Sequence, residues 1–108
     1  MTINSDKKGK VGEREFAKLC RAEGFTKARR GQQYSGLEGD DVVGLDGFHV
    51  EVKRVEKLNL GKAVGQSKHD AKAGEIAIVA HRKNRCDWLI TMKADDWFKI
   101  VRNCDLGE

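Results

Sequence analysis

The stretch Asp40-Asp41-Val42-Val43-Gly44-Leu45-Asp46-Gly47-Phe48-His49-Val50-Glu51-Val52-Lys53 decides how this chain folds. It reads as a β-hairpin. Val42, Val43 and Leu45 form one β-favouring run, and Phe48, Val50 and Val52 mark an alternating second run. Asp46-Gly47 between them is a strong turn signal, because glycine reaches positive φ without steric cost. Period-2 geometry then sends Val50 and Val52 to one face and His49, Glu51 and Lys53 to the other.

The turn decides which aspartate faces that polar row. A two-residue loop (Asp46-Gly47) pairs Leu45 with Phe48 and places Asp40 opposite Lys53. A three-residue loop (45–47), with Gly47 at the left-handed position of a bulge, pairs Gly44 with Phe48 and sets Asp41 across from Glu51. The second is the expected arrangement, with Asp40 pointing to the opposite face near Val52. Two facing carboxylates repel unless they share something positive. A divalent cation held by hard oxygen ligands resolves the conflict, and Mg²⁺ characteristically takes one or two carboxylates plus substrate phosphate oxygens.

The 108-residue chain has room for one domain and a single modest core. Charged residues make up 35% and mean hydropathy is −0.62, so the surface is highly charged. The net charge of +4 is unevenly spread: residues 1–36 hold nine Lys or Arg against four Asp or Glu. Such a basic block suits a polyanionic partner, and equally a solvated surface. No run is long enough to span a membrane and no signal-peptide pattern is present, so the expected location is cytoplasmic with no membrane partner. Cys20, Cys86 and Cys104 are odd in number and lack C-x-x-C spacing, which points to reduced thiols rather than a disulfide framework or zinc knuckle. His49, His69 and His81 show no metal-ligand spacing among themselves.

In chain order, residues 1–7 read as a polar tail. A helix follows from about Lys8 to Glu23, with Val11, Phe16, Leu19 and Cys20 on its apolar face and Gly24 as its cap. Glu13 sits at the edge of that face; Glu15 points elsewhere, to plain surface. Residues 25–30 read as a short strand, and 31–39 as a Gly-rich polar loop with Arg29 and Arg30 at its root as phosphate ligands. After the hairpin, 61–74 fits a helix flanked by Gln66 and His69. Residues 75–82 hold Ile76-Ala77-Ile78-Val79-Ala80, a buried strand expected to run parallel to the Glu51 strand. A fifth strand spans 87–92. The last helix starts at Lys93 or Ala94, and its Trp97, Ile100 and Val101 stripe is expected to pack in the core.

The pattern Asp41…Glu51-Val52-Lys53 resembles the PD-(D/E)xK nuclease superfamily. Lys8-Gly9-Lys10-Val11-Gly12-Glu13-Arg14-Glu15-Phe16, Gly24-Phe25, Arg29-Arg30…Ser35-Gly36 and Asp41-Val42-Val43 are similar to successive landmarks of archaeal-type Holliday junction resolvases. The segment from Gln66 through Ile76 to Arg82, then Trp88-Leu89-Ile90, resembles phage and prophage endonucleases. The resemblance covers about residues 8–101. It implies a restriction-endonuclease-like α/β fold, an αβββαβ core with a mixed five-stranded sheet flanked by helices. It also implies a single nuclease domain in a bacterial or phage-infected cell. Glu13, Asp41 and Glu51 become the acidic site, the Val52 backbone carbonyl a further Mg²⁺ ligand (Mn²⁺ substituting), and Lys53 the catalytic lysine. Lys10, Arg14, Arg29, Arg30, Ser35, Gln66 and Arg82 become DNA contacts. Two features depart from the archaeal pattern: the short nine-residue spacing between Asp41 and Glu51, and the adjacent Asp40. The implied activity is metal-dependent hydrolysis of DNA, structure-selective towards branched substrates, with a homodimer for symmetric cuts. A general or restriction-like nuclease and a non-catalytic DNA-binding module are the alternatives on the same scaffold.

Overall fold

The computed structural model describes residues 5–31 and 40–104. Along them run α1 (Ser5–Ala22), β1 (Arg29–Arg30), β2 (Val42–Val43), β3 (Phe48–Arg54), α2 (Leu60–Asp70), β4 (Ile76–Arg82), β5 (Leu89–Thr91) and α3 (Ala94–Arg102). The element order is the expected one, in an α/β chain with three helices. Residues 5–7, expected in a tail, belong to α1. The strands do not join into one five-stranded sheet. Instead β3, β4 and β5 form a mixed three-stranded sheet, and β1 and β2 a separate antiparallel pair.

The split originates in the hairpin. The Phe48 N–H donates to the Leu45 carbonyl at 3.1 Å, closing a tight turn with Asp46 and Gly47 at its centre. Gly47 supplies the positive φ of +87° that such a turn needs at its third position. The three-residue bulged loop is therefore incorrect. Further out, the Asp41 N–H donates to the Val50 carbonyl at 2.9 Å. Between turn and aspartate the β2 side thus advances four residues while the β3 side advances two. Gly44 absorbs the excess. Its φ is +98°, and a Cβ there would stand 2.4 Å from the Lys27 carbonyl oxygen. That close approach pulls β2 towards β1, with Arg29 opposite Val43 and Arg30 opposite Val42. A ladder between β2 and β3 is sacrificed.

The β3–β4 pair carries the sheet. Their parallel register runs from Phe48 opposite Ile76 to Arg54 opposite Arg82, as the apolar run of 76–80 predicts. β5 pairs antiparallel with β4. On one face Val50, Val52, Ile78 and Ala80 bury against Phe16, Ala17 and Cys20 of α1, joined by Ala28 and Val42. Of the expected α1 stripe, Phe16 and Cys20 bury while Val11 and Leu19 stay exposed, and the helix ends at Ala22, with the Phe25 N–H reaching back past Gly24 to the Cys20 carbonyl. Trp88 closes this core, its ring 5.1 Å from that of Phe16. α2 packs on β4: its Ser67 hydroxyl donates to the Ile78 carbonyl at 3.1 Å, and Asn59 caps its start by accepting from the Lys62 N–H.

α3 departs from expectation. Trp97 is 50% exposed and Phe98 49%, while the residue α3 buries is Asp96, at 1%. Burial raises the Asp96 pKa, but hydrogen bonds and charges from Lys68 and Lys99 outweigh it and hold the carboxyl below its ordinary value. An ion-pair anchor thus replaces the expected aromatic packing, with Lys68 Nζ 3.1 Å from the carboxylate. Glu15 is likewise no plain surface residue: it accepts from Arg54 Nε at 3.3 Å and from Arg82 at 2.5 Å, tying α1 to the ends of β3 and β4. Among the described residues no helix is long and apolar enough to cross a membrane.

Candidate functional site

Asp41 sits where β1, β2 and β3 meet. Its backbone N–H bonds to Val50, its carbonyl accepts from the Gly31 N–H at 2.9 Å, and its Oδ2 accepts from the Val52 N–H at 2.8 Å. The carboxylate thus takes the position that a neighbouring strand's carbonyl occupies in a continuous sheet. A strand residue directs its N–H and C=O to the same edge, so the Val52 carbonyl also faces the Asp41 edge of β3. Beside this lies Glu51, on the polar face of β3 that period-2 geometry assigns to it.

The two carboxyl groups are close enough to share a hydrogen bond. Burial first, and then the Glu51 charge, push the Asp41 pKa up from 3.8 to about 7; the Val52 N–H and the Lys53 ammonium oppose the shift. Asp41 is therefore the aspartate beside Glu51 and Lys53, although the register that pointed to it does not form. Glu13 completes the group from α1. Its pKa is raised by burial and by the nearby Asp41 charge, with Arg30 and Lys10 opposing. Arg30 Nε donates to Glu13 Oε1 at 2.7 Å. α1 brings Glu13 this close because Gly12 lies against β3, where a Cβ would stand 2.6 Å from that of Arg54.

Asp40 does not point away to the opposite face. Its Oδ1 lies 2.6 Å from His49 Nδ1, and His49 Nε2 lies 2.9 Å from Glu51 Oε1. The imidazole is 2% exposed. Each ring nitrogen meets a carboxylate oxygen. Burial alone would lower the His49 pKa, but the hydrogen bond to Glu51 and the charges of Asp40 and Glu51 raise it. Burial likewise lifts the Asp40 carboxyl, with His49 opposing and Glu75 adding to the rise. Carboxylates from Glu75 and from Asp70, at the end of α2, come within 4.8 Å of this chain.

The remaining expected residues fall into three groups. Lys10 and Arg30 lie beside Glu13. Arg14 and Arg29 are exposed, with no part in the acidic cluster. Arg82 is engaged with Glu15 and with the Cys86 carbonyl, and Gln66 donates to Asp70 Oδ2 at 2.9 Å. Ser35 lies outside the described residues. The sequence reading missed His49, Asp40, Asp70 and Glu75 as members of the cluster. His49 carried a usable signal, standing two residues before Glu51 on the same strand face. Asp70 and Glu75 carried none, since only the packing of α2 and the β3–β4 register bring them in.

The donor set suits a hard divalent cation. Asp41 and Glu51 offer neighbouring carboxylate oxygens, with Glu51 also held by His49, and the Val52 carbonyl lies on the same edge. Family models, curated proteins and solved structures were all compared with this chain, and none matches.

Proposed function

We propose that this chain is a metal-dependent endodeoxyribonuclease of the PD-(D/E)xK type, acting on branched DNA in the manner of a Holliday junction resolvase. The observation that carries the reading is the Asp41–Glu51 pair, in which burial first and then the neighbouring Glu51 charge push the Asp41 carboxyl to about 7. A structural surface has no reason to hold that repulsion, whereas a site for Mg²⁺ or Mn²⁺ does. Asp41, Glu51 and the Val52 carbonyl would hold the ion, with Glu13 reaching it from α1. Bound there, it supplies the Lewis acidity that lowers the pKa of water and stabilises charge on the scissile phosphate. Lys53 holds the attacking water or offsets charge gathering on the phosphate oxygens. Lys10 and Arg30 steer the phosphodiester backbone, and Arg30 also holds Glu13 in place.

The test is a panel of junction, flap, nicked and plain duplex DNA with and without Mg²⁺. Metal-dependent cuts, strongest on the junction, are expected. Uniform cutting of every substrate would point to a general nuclease, and salt-sensitive binding without cleavage to a non-catalytic module. Protein that does neither would refute the reading.

Binding carries its own prediction. Lys10→Ala should weaken binding to all DNA alike and flatten the log–log salt dependence by about 0.9. Arg82→Ala should leave that slope unchanged, because its guanidinium is already neutralised by Glu15. Affinity measured by fluorescence anisotropy over a salt series separates these cases. A slope reduced by Arg82→Ala but not by Lys10→Ala would overturn the assignment of phosphate contacts.

A further inference from the structure

We infer that His49 is a positioning residue for Glu51, holding one carboxylate oxygen so that the other is presented to the cation. The inference rests on the reading that Glu51 is a metal ligand. A glutamate side chain has three rotatable bonds, and ordering it costs on the order of 1–2 kcal/mol in rotamer freedom. A ligand that must find its place at the moment of binding loses that from its affinity. On β3 the ordering is already made. His49 Nε2 grips Glu51 Oε1 at 2.9 Å, which leaves Oε2 as the atom for the cation.

The imidazole can act as a fixed point because it is itself held. Its Nδ1 meets Asp40 Oδ1 at 2.6 Å, and the ring is 2% exposed against the β3–β4 sheet and the end of α2. Asp40 is next in chain to Asp41, so the same two-residue step that carries one ligand also anchors the clamp on the other. The row runs Asp40, His49, Glu51, and then Asp41. Each contact in it orients the next. Outer contacts of this kind typically change metal affinity by about 10–100-fold when removed.

Two amide substitutions separate the ring's two contacts. In His49→Gln the amide nitrogen falls near the Nε2 position and keeps the contact with Glu51; the released Asp40, 21% exposed, is satisfied by water. In His49→Asn the amide nitrogen falls near Nδ1, so the Asp40 contact survives and the Glu51 contact is lost. Mn²⁺ affinity is read by EPR titration of the metal-free full chain. DNA affinity in EDTA and the melting temperature serve as controls for fold.

His49→Gln should bind Mn²⁺ within about threefold of wild type, and His49→Asn about 10–100-fold more weakly. DNA affinity without metal should be the same in both. Saturating Mn²⁺ should restore the cleavage rate of His49→Asn, because the chemistry is intact once the ion is in place. Equal Mn²⁺ affinity in all three proteins would overturn the inference, as would equal losses in both variants, which indicate a purely structural ring. Should His49→Asn fail to fold, a tenfold loss in His49→Gln alone overturns it. Wild-type protein that binds no Mn²⁺ would instead refute the metal-site reading on which the inference rests.

Discussion

Asp41→Asn should abolish metal-dependent cleavage and, at the same time, make the metal-free protein more stable. The amide oxygen can still accept from the Val52 N–H, and the amide N–H₂ can donate to Glu51 where a second carboxylate now repels. The folded-state pKa of Asp41, about 7, lies above its ordinary 3.8, so the folded chain binds the extra proton between those values. The protonated group therefore stabilises the fold below about pH 4, and that contribution is lost as pH rises through about 7. At about 1.4 kcal/mol per unit the loss amounts to on the order of 2–4 kcal/mol, the lower end allowing for sharing of the proton with Glu51. Without metal at about pH 8, Asp41→Asn should melt on the order of 10 °C above wild type, and the difference should vanish towards pH 4. Cleavage should fall by at least about 100-fold, since the charge that holds the ion is gone. Asp40→Asn should retain most activity, because its amide oxygen still accepts from His49 Nδ1. An inactive Asp40→Asn beside an active Asp41→Asn would reverse the assignment of the two aspartates.

Glu51→Gln and Lys53→Ala should each remove cleavage by a similar factor without weakening DNA binding. Glutamine is the better probe at 51. Alanine there would strip the buried His49 Nε2 of its acceptor, which costs about 1–3 kcal/mol and confuses loss of metal with loss of fold. Lys53 lies on the polar face of β3, so its truncation should move stability by only about 0.5 kcal/mol. In EDTA, Glu51→Gln should bind DNA more tightly than wild type, because a carboxylate facing phosphate is repulsive. Full cleavage by either variant would remove the chemical basis of the nuclease reading.

Much of this architecture is legible in the chain because local rules govern it. The α1 stripe of Phe16 and Cys20, the continuous apolar run of β4 and the alternation of β3 each follow from backbone periodicity. Glu51 and Lys53 share a face for the same reason. The hairpin register is different. It depends on Gly44 packing against the Lys27 carbonyl, a contact between segments that no local pattern encodes. The two short strands consequently pair with each other, and Asp41 replaces a ladder bond with its side chain. At α3 the aromatic stripe looks like core, yet burial goes to Asp96 because Lys68 stands opposite it. His49 has no second histidine at ligand spacing; its partners are carboxylates from its own strand and from the residue before Asp41.

The account depends on the Asp41–Glu51 pair being held apart by a cation rather than by a proton. Mn²⁺ titration of the metal-free chain at about pH 8, followed by EPR, measures this directly when wild type and Asp41→Asn are compared. Saturable binding by wild type, with loss of binding in Asp41→Asn, is the predicted result. Mn²⁺ that stays free in the presence of wild type, or binds Asp41→Asn equally well, would contradict the account.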